Sequence, residues 1–276
     1  MKTALLQLTS SDNPSENLDV VLSMMAQAKA DGAEFVLTPE VTNCVSMSRS
    51  FQASVLATED QDTTLVALRD ASRELGIHML IGSLALKTQD PDGRFANRSF
   101  LIGPDGKIRG RYDKIHMFDV DIDETETFRE SAGYRPGTQA VVADADFGKV
   151  GMCVCYDMRF PHLAQSLVEA GANILTYPAA FSPITGTAHW HSLLRARAIE
   201  TGSWVLAPAQ TGTHATQQSA VRKTFGHSLA VAPWGEVILD AGTEPGVYTF
   251  DLNMEKVAEA RKRVPALQNK RSFDGP

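Results

Sequence analysis

Three side chains in this sequence have the types and positions for acyl-group chemistry: Cys155, Glu40 and Lys114. Cys155 follows the short apolar run Val150-Gly151-Met152-Cys153-Val154 and precedes Tyr156-Asp157-Met158-Arg159-Phe160-Pro161. A cysteine where a strand gives way to a turn can project its sulfur from the rim of a sheet. The backbone N–H groups after it, beginning with that of Tyr156, can then face a developing oxyanion. The alternative is a small buried hydrophobe, which is how most free cysteines behave. Glu40 follows Pro39 just beyond the apolar segment Phe35-Val36-Leu37, a second rim position. Low dielectric there would raise its pKa and suit it to take a thiol proton. Lys114, in Arg111-Tyr112-Asp113-Lys114-Ile115-His116, is either a solvated lysine or a cation for the charge of a tetrahedral intermediate. Composition leaves both readings of Lys114 open.

Positioning these groups requires sheet edges, and the chain supplies many short apolar runs. Lys2–Leu8 reads as a first strand, and Asn13-Pro14 as the N-cap and first turn of a helix. Leu18, Val21, Leu22, Met25 and Ala28 carry that helix at helical spacing to a stop near Gly32. A helix over Thr63–Leu75 and a strand over Met79–Ala85 follow. Gly103-Pro104-Asp105-Gly106 is hairpin chemistry between Asn97–Ile102 and Lys107–Tyr112. Asp146-Phe147-Gly148-Lys149 similarly joins Ala140–Ala145 to Val150–Val154. Helices at about His162–Ala170 and Ala188–Thr201 alternate with strands Ile174–Tyr177 and Trp204–Ala209. A last hairpin turns at Pro233-Trp234-Gly235-Glu236, before a helix over Met254–Arg263. Hairpins mixed with helical crossovers fit a purely parallel sheet poorly. Two facing sheets with helices outside accommodate both.

Composition narrows the function classes. The 276 residues carry a net charge of −7, which argues against a nucleic-acid partner. The first apolar run is too short for a secretion signal, and nothing approaches a membrane span, so a cytoplasmic protein is expected. Three cysteines (Cys44, Cys153, Cys155) are an odd number, against a disulfide framework. The C-x-C of Cys153 and Cys155 lacks further ligands nearby for zinc; a thiol redox switch built on it is a minor alternative. Without linkers or repeats, one domain is expected.

The segments Leu37-Thr38-Pro39-Glu40, Tyr112-Asp113-Lys114-Ile115-His116 and Gly151-Met152-Cys153-Val154-Cys155-Tyr156-Asp157-Met158-Arg159-Phe160-Pro161 resemble, in order and separation, the Glu, Lys and Cys motifs of the nitrilase (carbon–nitrogen hydrolase) superfamily. The resemblance runs from Met1 to about Asp251. Glu130, ahead of Pro136-Gly137, matches the family's second glutamate, with Glu124 and Glu126 close by. Leu175-Thr176-Tyr177-Pro178-Ala179-Ala180-Phe181 and the stretch from Thr185 to Glu200 are similar to the family's Nit branch.

The resemblance implies an α/β fold, a four-layer α-β-β-α sandwich with mixed sheets, usually paired as a homodimer. The hydrolase domain would be residues 1–251, with 252–276 a C-terminal helix and tail of the same domain or a dimer contact. The implied activity is hydrolysis of a small carboxylic-acid amide through a thioester on Cys155, without metal or organic cofactor. Deaminated glutathione is the leading substrate and α-ketoglutaramate the alternative; a nitrile is less in keeping with the Nit-branch segments. Glu40 would be the base, with Lys114 and the Tyr156 N–H holding the oxyanion and Glu130 orienting Lys114. Phe181, Thr185, His189 and Trp190 are candidate pocket residues. The acidic stretch Asp119–Glu126 departs from the family pattern and would alter the rim of the site.

Overall fold

The structure, a computed structural model, describes residues 1–122, 127–217 and 221–275. The chain begins with β1 (Lys2–Gln7), α1 (Pro14–Ala30) and β2 (Phe35–Leu37), followed by α2 (Arg49–Val55) and α3 (Thr63–Leu75). Asn13 caps α1 by accepting a hydrogen bond from Ser15 N at 3.1 Å, ahead of Pro14. Strands β3 (His78–Leu86), β4 (Ala96–Ile102) and β5 (Ile108–Asp113) then form an antiparallel run. A small ribbon, β6 (Asp119–Asp121) with β7 (Thr127–Arg129), leads to β8 (Val141–Ala145) and β9 (Gly148–Met152). The chain continues through α4 (Pro161–Glu169), β10 (Ile174–Thr176), α5 (Pro183–Thr201) and β11 (Trp204–Ala207). A second ribbon, β12 (Thr211–Thr213) with β13 (Lys223–Phe225), precedes β14 (Leu229–Val231) and β15 (Val237–Asp240). The last elements are β16 (Gly246–Asp251) and α6 (Glu255–Arg263).

Two six-stranded sheets result, ordered β16-β1-β2-β3-β4-β5 and β15-β14-β11-β10-β9-β8. Each mixes parallel crossovers at its centre with antiparallel pairs at its edges, as the alternation of loops and helices requires. β16, which the sequence reading does not mark as a strand, pairs antiparallel with β1 from Lys2↔Asp251 to Gln7↔Gly246. That pairing takes the chain from the second sheet back to the first.

Alternation along the strands sets the layers. Ala4 and Leu6 of β1, Val36 of β2 and Met79 and Ile81 of β3 pack against Val21, Met25, Leu65 and Leu68 of α1 and α3. Their neighbours Leu5, Phe35, Leu37, Leu80 and Leu101 share a core with the second sheet. That sheet is covered outside by α4 and α5, giving the four-layer α-β-β-α sandwich. The two sheets approach closely where β5 faces β8 and β9: a Cβ on Gly110 would lie 2.6 Å from Ala143 Cβ and 3.0 Å from Met152 Sδ. Replacing Gly110 by Val should therefore lower the unfolding free energy by about 2–3 kcal/mol in urea denaturation, through overpacking. A loss below about 0.5 kcal/mol, the scale of an ordinary surface substitution, would show that the sheets can part there without strain.

Candidate active site

Glu40 stands just past the end of β2, on a turn built from buried polar bonds. Thr38 Oγ1 accepts from Gly82 N at 3.0 Å and from Thr42 Oγ1 at 2.9 Å, and Val41 N donates to Ser83 Oγ at 2.8 Å. Val41 adopts φ 46°, a left-handed conformation costly for a β-branched residue and held only where surroundings over-determine it. β3 can press this close because residue 82 is Gly; any Cβ there would collide with the carbonyl oxygens of Thr38 and Pro39.

Lys114 follows the last residue of β5, and its N–H donates to Asn97 O at 3.0 Å. Its side chain is 2% exposed, and Nζ donates to Glu40 Oε1 at 2.9 Å and to Glu130 Oε1 and Oε2 at 2.9 and 2.7 Å. A buried ammonium is tolerable only when paired this way; removing one partner of such a group typically costs about 3–5 kcal/mol. Asn97 Nδ2 bridges the carboxylates, 2.8 Å from Glu40 and 3.2 Å from Glu130. Ala180 N donates to Glu40 Oε2 at 2.9 Å and Phe118 N to Glu130 Oε2 at 2.7 Å.

Cys155 occupies the strand-to-turn junction. Val154 is still extended, and Cys155 turns to φ 50° to open a single 3-10 turn over Cys155–Arg159. Its N–H donates to Pro178 O at 2.9 Å. Asp157, fully buried, holds the turn in place. Its Oδ2 accepts from Val154 N at 2.8 Å and Tyr112 OH at 2.6 Å, while Oδ1 accepts from His116 N at 3.1 Å and lies 2.7 Å from His116 Nδ1. One carboxylate thus ties the Cys155 turn to the strand end that carries Lys114.

The electrostatics reverse one expectation. Burial by itself would raise the Glu40 pKa, as the sequence reading anticipates. Lys114, with its charge and hydrogen bond, and the charge of Arg222 outweigh it and hold the carboxyl below its ordinary 4.5. For Lys114, burial pulls downward but Glu130 and Glu40 keep the ammonium well above 10.5. Burial, then the Glu40 charge, push the Cys155 thiol well above 9.0, against the opposing pull of Lys114. The resting site holds a protonated thiol near an ionised carboxylate, beside a fixed cation. Such a set can deprotonate a thiol once a carbonyl docks and can stabilise an oxyanion.

A cavity of about 340 Å³ opens over these groups, with Glu40, Lys114, Glu130, Cys155 and Phe181 all in its wall. Thr185, His189 and Trp190, also expected at the pocket, lie outside that wall. α5 begins at Pro183, five residues earlier than the sequence suggests, and turns Gly186, Trp190 and Leu194 to the protein interior. Trp190 is fully buried, bonding His227 O through Nε1 at 2.8 Å and packing on Phe181. His189 is exposed beside Arg159, and Thr185 Oγ1 turns back to Ser182 O. Tyr156 packs its ring between Phe118 and Phe160.

Cys44 lies in the cavity wall, but burial and then the charge of Asp12 push its thiol up to about 12. Cys153 is buried outside the wall, and all three cysteines are free. Of the acidic stretch, Asp121 pairs with Arg129 and Asp119 accepts from Ser131 N; residues 123–126, including Glu124 and Glu126, lie outside the described residues. Among the described residues, the atoms close enough to share a metal ion belong to His191, His227 and Asp240, within 4.8 Å of one another. Two imidazole–carboxylate bonds, each 2.8 Å, account for that grouping.

Sequence reasoning missed Asn97 and Arg222. Neither leaves a signal: Asn97 is one of three consecutive polar residues, Asn97-Arg98-Ser99, at the start of β4, and Arg222 reaches the cavity from just before β13, far along the chain.

Residues 2–262 match the carbon–nitrogen hydrolase family. A deaminated glutathione amidase of Yersinia enterocolitica is 38% identical over 97% of this chain and 92% of its own length. The omega-amidase of Homo sapiens is 35% identical over 98% of this chain and 95% of its own. The solved structure of the C. elegans NitFhit protein superposes with a TM-score of 0.88 at 30% identity, covering 98% of this chain and 65% of that one.

The reversed electrostatics can be checked on the thiol. In Glu40→Gln the charge that raises the Cys155 pKa is removed while Lys114 stays. The pH midpoint for alkylation by iodoacetamide should then fall relative to the unsubstituted protein. An unchanged or higher midpoint would place Glu40 out of electrostatic contact with the sulfur.

Proposed function

The chain belongs to the carbon–nitrogen hydrolase family and hydrolyses carbon–nitrogen bonds other than peptide bonds; we propose that it does so as a cysteine-dependent amidase with Cys155 as nucleophile. The observation that carries this reading is the buried Glu40–Lys114–Glu130 cluster beside the Cys155 thiol in the wall of one cavity.

As the substrate amide docks, Glu40 takes the thiol proton and the sulfur attacks the carbonyl carbon. The oxyanion is held by Lys114 Nζ and the backbone N–H of Tyr156. Collapse of the tetrahedral adduct breaks the C–N bond as Glu40 returns the proton to the departing amine, leaving a thioester on Cys155. Water then attacks the thioester with Glu40 again as base, and the acid leaves as the thiol reforms. Glu130 orients Lys114 through two bonds to Nζ. Nucleophile, base and charge stabiliser are all side chains, so the sequence of steps calls for no metal or organic cofactor.

Deaminated glutathione is the leading substrate in this proposal, cleaved to 2-oxoglutarate and Cys-Gly, on the strength of the Yersinia relative's name. The alternative is α-ketoglutaramate, which the omega-amidase relative favours. Both amides transfer the same acyl group to sulfur and differ only in the amine that leaves. A cytoplasmic homodimer belongs to the same reading, with residues 1–251 as the hydrolase domain and 252–276 completing it or meeting the partner. Ile199, Trp234 and Val264, exposed around a surface cavity of about 470 Å³ near α6, are apolar area a second copy would cover. Among the described residues no helix is long and apolar enough to cross a membrane.

Cys155→Ala should abolish amine release from a panel of amides, and Cys155→Ser should lower turnover by roughly 10³-fold or more with the thermal transition unchanged, because an alcohol is much harder to ionise. Retained turnover in the alanine variant would remove the nucleophile. With the unsubstituted protein, kcat/KM for deaminated glutathione should exceed that for α-ketoglutaramate; the reverse order makes it an omega-amidase. Glu40 is ionised above its lowered pKa and the thiol is protonated below its raised one. A plot of kcat/KM against pH should therefore be level between about pH 6 and 8, and fall only as acid protonates Glu40 below its ordinary range. A midpoint near pH 6–7 would mean that a different group is the base.

A further inference from the structure

A second constellation lies away from the catalytic cavity. His191 on α5, His227 just before β14 and Asp240 at the end of β15 bring their side chains together at one edge of the second sheet. Their nitrogen and oxygen atoms lie within 4.8 Å of one another. Asp240 Oδ2 is 2.8 Å from His191 Nε2, and Oδ1 is 2.8 Å from His227 Nδ1. None of the three lines the cavity that holds Cys155.

Two features go beyond what those hydrogen bonds require. The first is backbone conformation. His227 has φ 56° and follows Gly226 at φ 76°, so two successive residues are left-handed. Among the described residues, the other non-glycine positions with positive φ are Val41 and Cys155, at the catalytic centre. Such strain collects where a site depends on exact geometry. His227 is fixed in it by its N–H, which donates to Gly242 O at 2.6 Å, and by its O, which accepts from Trp190 Nε1 at 2.8 Å. The second feature is charge. Burial would raise the Asp240 carboxyl, yet Gly242 N and the two imidazoles hold it below its ordinary 3.8. Neither lysine nor arginine pairs with it among the described residues. With neutral imidazoles the group therefore carries one negative charge that no cationic side chain balances.

The surroundings suit an ion. The imidazole rings stand at 74° with centroids 5.5 Å apart, so their nitrogens approach the carboxylate from different directions. Phe225 stacks on His227 at 4.5 Å and meets His191 edge-on, giving the group an apolar wall. The three side chains are between 25% and 37% exposed, so solvent reaches them.

We propose that His191, His227 and Asp240 form a binding site for a divalent first-row transition-metal ion, zinc above all, with water as its fourth ligand. Two imidazole nitrogens and a carboxylate oxygen suit such an ion, whereas magnesium and calcium take oxygen ligands. His191 binds through Nε2 and His227 through Nδ1, each with its proton on the other ring nitrogen. The ion takes no part in the proposed hydrolysis. It fastens α5 to the β14–β15 edge, and so holds Trp190, which packs on Phe181 of the cavity wall.

The test is equilibrium dialysis of the untagged full chain against zinc chloride at neutral pH, for the unsubstituted protein, His191→Ala and Asp240→Asn. The unsubstituted protein should retain one zinc per chain. Affinity should fall by at least about 10- to 100-fold in each variant, the loss usual for disturbing even the outer partners of a metal ligand. Both positions are partly exposed and alanine suits a helix, so both variants should fold. One equivalent of cobalt(II) in place of zinc separates this site from the three cysteines. Imidazole and carboxylate ligation gives visible d–d bands without the near-ultraviolet charge transfer of a thiolate. Zinc at about 100 times its dissociation constant should raise the thermal transition of the unsubstituted protein by roughly 5 °C, and leave that of His191→Ala nearly unmoved. Equal zinc retention in all three proteins, a thiolate charge-transfer band, or binding no tighter than about 1 mM would each overturn the proposal.

Discussion

A lysine ammonium sealed from water between two carboxylates is the constraint around which the site is organised. Lys114 cannot be buried alone, so Glu40 and Glu130 must converge on it from segments 74 and 16 residues away. Two carboxylates around one ammonium leave an excess of negative charge. Asn97 and the N–H groups of Ala180 and Phe118 disperse it through hydrogen bonds, and Arg222 adds a positive charge nearby. Each of those partners comes from a different element. The cluster can exist only when β2, β4, β5 and the loop after β10 are all in register, so the chemistry and the completed fold are coupled.

Backbone strain is concentrated at the same place. Among the described residues, three other than glycine have positive φ, and two of them are Val41, next to Glu40, and Cys155 itself. Left-handed backbone of this kind costs of order 1–3 kcal/mol per residue. Here it is held by neighbours that cannot yield: Ser83 and the close approach of Gly82 on one side, and Asp157 with Pro178 O on the other. The conformations aim a carboxylate and a thiol at the same volume, which relaxed strand ends would not do.

The resting protonation states follow from that geometry. A carboxylate kept ionised by Lys114 is a weak base, and a buried thiol next to it is a weak acid. Proton transfer in the empty site is therefore uphill, and the thiol stays unreactive until something else takes up negative charge. In the proposed mechanism a carbonyl polarised toward Lys114 does so, because attack moves charge from sulfur to an oxygen that already faces a cation. On that proposal the same arrangement protects Cys155 from stray electrophiles between turnovers.

Much of this could be read in the linear sequence, and the reason is locality. Strand ends are marked by apolar runs meeting Pro, Gly or Asp, so β2, β5 and β9, and with them Glu40, Lys114 and the Cys155 turn, could be placed on sheet rims from neighbouring residues alone. α3, at Thr63–Leu75, coincides with its periodic stretch because its cap and its αL stop at Gly76 are also local signals. What the sequence could not decide depends on residues far apart. The sign of the Glu40 pKa shift is set by Lys114, 74 positions away. Whether Trp190 meets the cavity or the core depends on how α5 packs, and the face that carries Gly186, Trp190 and Leu194 is the one turned inward. Asn97 and Arg222 carry no motif, and β16 takes its role from pairing with a strand at the other end of the chain. Local chemistry thus determined which groups could react; only packing between distant segments decided their charge, their partners and what the cavity can hold.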